Sequence, residues 1–262
     1  MKADDTLELH GLRTSIVKLG DDLVGIILRA LEENGLRIED NDVLVIATKV
    51  VSIIEGRTVN VNSVKASKQA RIWATKYDLE PGCAELVKRE SQRIYGGVTR
   101  ALLTLKDNIL VANAGIDHSN VPEGNLVLWP KSTQRSAEEI RARLLRATGK
   151  KVGVAIVDSR TTPLRMGTVG VALAVAGFRP VKDYRKRKDL FGKAMLITRQ
   201  AVADDLASAA HLMMGETDES IPVVLVRGAP VEFCDDSDPK SAMITSEDCM
   251  FMKNLKPKKL LK

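Results

Sequence analysis

Three observations predict an α+β fold for this chain. Short β-branched apolar runs of strand length stand at 42–51, 152–157 and 222–227; segments with helical spacing and glycine stops lie between them; and Lys106-Asp107-Asn108 separates two extended runs in the manner of a hairpin turn. The 262 residues are 44% hydrophobic and 28% charged, enough apolar material for one large domain or two smaller ones and too much for extensive disorder.

Each element has its own signal. Gly20-Asp21-Asp22 introduces LVGIILRALEENG, where Leu23, Ile26, Ile27, Ala30 and Leu31 recur at helical spacing and Gly35 supplies the stop. DVLVIATKVV at 42–51 follows as a buried strand. Residues 63–92 carry helical periodicity, interrupted at Pro81-Gly82, and the runs 101–105 and 109–112 form the hairpin. Ser136 and Glu139 predict a capping box that opens a helix closed by Gly149. The run 152–157 is a second buried strand, ending at Asp158-Ser159. Beyond it the spacing predicts a strand over 195–202, an Ala-rich helix over 204–214 ending at Gly215, and a last strand over 222–227. Gly167, Gly170 and Gly177 point to close packing. The chain after 234 reads as a basic extension rather than a domain.

Composition removes several function classes. Aromatics make up only 3% of the residues, too few for a base-stacking nucleic-acid surface. The formal charge is +6, but Lys253, Lys256, Lys258, Lys259 and Lys262 supply five of those charges, and Arg185 to Lys188 form one internal basic run. Nucleic acid is therefore not an expected partner. Cys83, Cys234 and Cys249 are scattered without a C-x-x-C pair, which fits a reducing cytoplasm. The opening MKADDTLELH has no apolar h-region and no run of about 18 apolar residues occurs, so neither an export signal nor a membrane span is expected.

Polar residues gather where apolar segments stop. VANAGIDHSN at 111–120 delivers Asp117, His118, Ser119 and Asn120; VGVAIV delivers Asp158 and Ser159; MMGETDES delivers Glu216, Asp218 and Glu219. Hard divalent cations take such carboxylate and hydroxyl oxygens and share them with substrate phosphates. Three converging carboxylates would repel one another without a cation. Taken singly, each loop reads equally as an ordinary turn or N-cap. No G-x-x-x-x-G-K-S/T loop and no strand-coupled G-x-G-x-x-G is present, and His10, His118 and His211 lack partners at metal-ligand spacing.

The ordered set GLRTSIVKLGDDL, DVLVIATKVVSIIEGR, NAGIDHSNVPEG, TGKKVGVAIVDS, RKRKDLFG and AVADDLASAAHLMMGETDESIPVVLVRG, spanning about residues 9–229, resembles the coenzyme F420-0:γ-glutamyl ligase family. The resemblance implies two intertwined α+β subdomains with mixed sheets within 1–234, a homodimer, and a GTP- and divalent-metal-dependent ligase that adds L-glutamate to the F420 precursor through an acyl phosphate. It implies two Mg²⁺ or Mn²⁺ ions, with K⁺ a further candidate. Asp117 and Asp158 would hold one ion and Ser159 and Glu216 the other, making Asp117, Asp158 and Glu216 the catalytic set. Leu12, Arg13, Thr48, Lys49, Asn120, Met214, Gly215, Thr217 and Asp218 match nucleotide-contacting segments, and Lys182, Arg185 and Arg187 would suit an anionic acceptor.

The chain departs from that pattern at three places. Ile53 stands where the family has a lysine that reaches the nucleotide, and losing such a bond costs about 1.5–3 kcal/mol, roughly ten- to a hundredfold in binding. Asp158-Ser159-Arg160-Thr161-Thr162 lacks the nearby glycine, and Lys186 replaces a frequent glycine. These departures keep open a paralogue with another acceptor, amino acid or nucleotide, and a non-catalytic nucleotide-binding protein on the same scaffold.

Overall fold

The β-branched runs pair with one another because each is apolar on both sides and so must be covered on both. The structure, a computed structural model, describes residues 6–235 and 239–254. It opens with β1 (Glu8–Leu12), α1 (Leu23–Glu33), β2 (Val43–Ala47) and α2 (Thr48–Ile54). Next come β3 (Thr58–Asn60), α3 (Lys68–Tyr77), α4 (Pro81–Glu90) and the meander β4 (Arg93–Val98), β5 (Ala101–Lys106) and β6 (Ile109–Ala112). Then follow β7 (Asn125–Val127), α5 (Thr133–Thr148), β8 (Gly153–Thr161) and β9 (Thr168–Ala176). The chain continues through β10 (Lys182–Asp183), β11 (Arg199–Gln200), α6 (Val202–Met214), β12 (Val223–Arg227) and α7 (Met250–Asn254). The expected α+β class holds.

The main sheet is mixed, in the order β1-β12-β2-β8-β9, with only β2 and β8 parallel. Side chains alternate across it with period two. Leu44, Ile46, Val154, Ile156, Val223 and Leu225 face α1 and α5, while Val43, Val45, Ala155, Val157, Val224 and Val226 face α6. A separate core joins α3 and α4 to the meander and β7 through Trp73, Tyr77, Leu86, Leu102, Leu126 and Leu128. Gly170 explains the tight seat of α6 on β9, since a Cβ there would lie 2.3 Å from the Ala207 backbone.

Several boundaries differ from the sequence reading. The run 42–51 is a strand only to Ala47; Thr48 starts a helix, a change that β-branched spacing does not signal. The α5 helix begins at Thr133, so Ser136 is no cap: its Oγ instead donates to Glu55 Oε1 at 2.5 Å, while Glu139 accepts from Arg135. Within 195–202 only Arg199–Gln200 pairs as strand, and α6 starts early at Val202, with Asp204 and Asp205 suited to its first turn. Strand β8 does not stop at Asp158 but runs on to Thr161 against β9. The hairpin is as expected, with Asp107 and Asn108 at φ 49° and 61° as a two-residue primed turn requires. Of the basic tail, Lys253 closes α7, and Lys256, Lys258, Lys259 and Lys262 lie outside the described residues.

Candidate active site

Two chain reversals and one strand build the site. After β6 the backbone takes three successive positive-φ residues, Asn113 (51°), Ala114 (54°) and Gly115 (69°), and then re-forms a bridge in which the Asp117 N–H donates to Val127 O at 3.0 Å and Val127 N–H returns to Asp117 O at 2.8 Å. Gly115 is required there, because a Cβ would meet the Trp129 ring at 2.1 Å. The side chains that follow are thereby fixed. Asp117 accepts from Ser119 N–H (2.8 Å) and Ser119 Oγ (2.9 Å), and pairs with Lys49 Nζ at 2.6 Å. Lys49 comes from the first turn of α2 and also donates to Ser119 Oγ at 2.7 Å.

Asp158 arrives from the opposite direction. A register shift between Ile156 and Val157 in the β8–β9 ladder lies just before it, a device that re-aims the side chains that follow. Its Oδ1 accepts the Ser159 N–H at 2.8 Å and its Oδ2 the Trp129 indole N–H at 2.5 Å. Burial raises its pKa; these two bonds oppose the shift, Asp117 adds to it, Lys49 lessens it, and the result is about 6. Asp117 is also shielded, but Lys49 and Ser119 outweigh its burial and hold it below the usual carboxylate range.

The second reversal follows α6. Gly215 (φ 67°, ψ −167°) ends the helix, and Glu216 then contacts Thr168 Oγ1 (2.5 Å), His211 Nε2 (2.8 Å) and the Ser159 hydroxyl. Burial raises the Glu216 pKa, and these partners more than offset it, so the group lies below its ordinary value. Asn120, at φ 55°, donates its amide to Thr217 O at 2.7 Å and ties the two loops together. Thr14 N–H donates to Ser220 O at 3.1 Å, which brings the Leu12–Arg13 segment to the same edge.

The expected residues thus form two adjacent pairs rather than one three-carboxylate cluster. Among the described residues no group of three His, Cys, Asp or Glu side chains forms a metal cluster. The strand explains why: consecutive residues Asp158 and Ser159 alternate in direction along β8, so the Asp117 charge acts on the first while Glu216 bonds the second. Oxygen-only donors suit hard divalent cations, and the buried Asp158 beside Asp117 is a charge arrangement that a cation would relieve. The donor chemistry fits.

The other expected positions separate by environment. Leu12 is fully buried in the sheet core, so its side chain has no surface role, whereas Arg13 is exposed. Thr48 is 6% exposed with an unpartnered Oγ1. Met214 packs on the α6-side core, Thr217 N–H donates to Glu219, and Asp218 Oδ1 accepts from Thr217 Oγ1 at 3.3 Å. His118 is exposed. Of the basic set, Arg185 is neutralised by Asp183, and Lys182 and Arg187 flank the Tyr184 ring at 5.6 and 5.3 Å. Lys186 sits at φ 68°, a conformation that glycine adopts without strain.

A family model described as F420-0:Gamma-glutamyl ligase matches residues 11–228. The chain belongs to the F420-0:gamma-glutamyl ligase family. It is an enzyme of the ligase class. A Methanothermobacter thermautotrophicus protein called coenzyme F420:L-glutamate ligase is 39% identical over 216 residues, 82% of this chain and 86% of that one. Relatives of the same name from Archaeoglobus fulgidus and Methanocaldococcus jannaschii are 38% and 41% identical; they cover 82% and 75% of this chain, and 85% and 79% of their own lengths.

Within this member of the family, Trp129, Thr168 and His211 stand beside the candidate ligands; the first two were not singled out from the sequence, and His211 was set aside there for want of a partner at metal-ligand spacing. His211 could have been found as an i, i+5 neighbour of Glu216 across a helix end. Trp129 and Thr168 carry no such signal, because their partners lie 29 and 48 residues away.

Proposed function

We propose that this chain joins L-glutamate, through its amine, to the terminal carboxylate of the F420-0 precursor in an amide linkage, consuming GTP with two Mg²⁺ or Mn²⁺ ions. The observation that carries the reading is the pair of neighbouring oxygen sets, Asp117 with Asp158 and Ser159 with Glu216, beside Lys49. A family match over residues 11–228 and relatives named for this reaction supply the substrate class.

The chemistry follows from the acceptor. A carboxylate is a poor acylating agent because oxide would have to leave. One of its oxygens therefore attacks the γ-phosphorus of GTP and GDP departs; the glutamate nitrogen then attacks the acyl carbon and inorganic phosphate departs with the oxygen. Bound cations would neutralise phosphate charge and align the in-line transfer. Asp117, Asp158, Ser159 and Glu216 would hold them. Lys49 Nζ, 2.6 Å from Asp117, would be released toward the phosphates if a cation took Asp117. Arg13, Asn120 and the 215–218 backbone line the edge where the nucleotide would lie.

A homodimer belongs to the same proposal. The segment between β10 and β11 exposes Leu190 and Phe191 at 100% and 95%, together with Leu196 and Ile197, an apolar surface suited to burial against a second copy. Light scattering of the wild-type protein and of Phe191→Asp tests it; equal masses corresponding to one chain would refute it.

The direct test is mass spectrometry of purified protein with GTP, Mn²⁺, L-glutamate and the precursor lacking glutamate. A metal-dependent product heavier by one glutamyl residue is expected. No product, with nucleotide and cation still bound, would move the assignment to another acceptor.

A further inference from the structure

Trp129 is only 1% exposed, yet charged groups meet both its backbone and its indole. Arg57 Nε donates to its backbone oxygen at 2.8 Å, and Lys106 Nζ lies 5.4 Å from its ring centroid. Both cations converge on one carboxylate: Arg57 Nη2 reaches Glu90 Oε1 at 2.9 Å and Lys106 Nζ reaches Glu90 Oε2 at 2.6 Å. Lys106 and Glu90 are largely buried, with side chains 7% and 21% exposed. The remaining edge of the indole faces the site, where Nε1 donates to Asp158 Oδ2 and the ring fills the space that Gly115 leaves, two residues before Asp117.

We infer that Trp129 is a positioning residue, fixed by the Arg57–Glu90–Lys106 network, which sets the orientation of Asp158 toward a divalent cation and its separation from Asp117. The inference rests on the metal reading proposed above. Its logic is geometric. Each Asp158 oxygen already accepts one protein hydrogen bond, from Trp129 on Oδ2 and from Ser159 on Oδ1, so the carboxylate cannot rotate, and one lone pair on each oxygen remains for a cation. Partners that orient a ligand in this way typically govern metal affinity by 10–100-fold. The cation–π contact and the ion pairs keep the indole from following Asp158 if that side chain turns away.

Calorimetric titration of Mn²⁺ into wild-type protein and Trp129→Phe is the test. Phe keeps an aromatic side chain beside Gly115 but removes the second indole ring along with the N–H. Trp129→Phe should bind Mn²⁺ about 10–100-fold more weakly; equal affinity would overturn the inference while leaving the metal site standing. A wild-type protein that binds no divalent cation would remove the metal reading, and this inference with it. A second measurement needs no change at position 129. Trp73 is the other tryptophan, so Trp73→Phe labelled with ¹⁵N shows the Trp129 indole alone. Its ¹H–¹⁵N resonance should shift on Mg²⁺ addition, and an unmoved resonance at saturating Mg²⁺ would overturn the inference even if Trp129→Phe fails to fold.

Discussion

Asp158 and Glu85 are both shielded carboxylates, and they are driven in opposite directions. Glu85, 6% exposed between α3 and α4, accepts from the Ser67 hydroxyl and N–H and from Arg89, and with Lys88 nearby its pKa falls to about 2. Asp158 has two donors as well, but no cation of its own: Lys49 is spent on Asp117, Asp117 repels it, and burial carries it to about 6. Glu85 is satisfied by its surroundings and serves the fold. Asp158 is left with unmet negative charge within a paired strand, as expected where a charged ligand is to be received. The contrast separates a structural acid from a candidate functional one more sharply than burial alone does.

The sharpest way to break that contrast is to remove each charge in turn. Asp158→Asn should lower kcat/KM by at least about a hundredfold, in the range found when a charge-stabilising group is lost from an active site. The same change deletes a buried charge without a counter-ion but turns an amide N–H toward one of the two donors, so the melting temperature of the cation-free protein should fall less than in Glu85→Gln. Melting curves without divalent ions check this; a fall as large as that of Glu85→Gln would mean that Asp158 is as well compensated as Glu85.

Glu85→Gln should do the reverse, lowering stability by about 1–2 kcal/mol at pH 7 and leaving turnover unchanged below the melting transition. The sign of its pH dependence follows from a depressed native pKa. Its contribution is complete above the unfolded value near 4.5 and disappears as pH falls through about 2. Urea midpoints measured from pH 5 to 2 should therefore fall less steeply in Glu85→Gln than in the wild-type protein. Parallel slopes would place the acid sensitivity elsewhere.

What the sequence could and could not convey follows the same division. Local signals were legible: the Gly35 and Gly149 helix ends, Pro81 at the start of α4, the Asp107-Asn108 turn and the central strands all depend on neighbours in sequence. The oxygen-bearing residues 117, 120, 158, 159 and 216 stood out as candidates through their types together with the family resemblance. Their arrangement was not legible. The β2–α2 boundary at Ala47–Thr48 is hidden because Val and Ile serve buried strand and helix alike, and β9 is masked by its Gly and Ala content. That Asp158 lies within a strand, and that it meets Trp129, depend on strand pairing and on a contact 29 residues apart.

Smaller changes probe the loop-borne half of the site. Asn120→Ala removes the 2.7 Å bond to Thr217 O that joins the two loops. An exposed neutral bond of this kind is worth about 1 kcal/mol, so the GTP KM should rise about fivefold with kcat nearly unchanged. A matching fall in kcat would show that the bridge also positions the reacting groups.

The smallest expected effect concerns Ile53. Were the strand expected over 42–51 to continue through Ile53, Lys49 and Ile53 would share a face but sit about 13 Å from each other. In the structure both belong to α2, where residues i and i+4 are neighbours on one surface. A lysine at 53 would therefore stand one turn beyond the ammonium that now pairs with Asp117. Lys49 already supplies positive charge to this edge, so Ile53→Lys should lower the GTP KM only severalfold. Combining it with Lys49→Met distinguishes the two roles. If the lysines are interchangeable phosphate ligands, Ile53→Lys will restore the nucleotide binding that Lys49→Met loses. If Lys49 acts chiefly by offsetting Asp117 before the cation arrives, the double variant will stay as weak as Lys49→Met, because position 53 lies a helical turn too far along to reach that carboxylate.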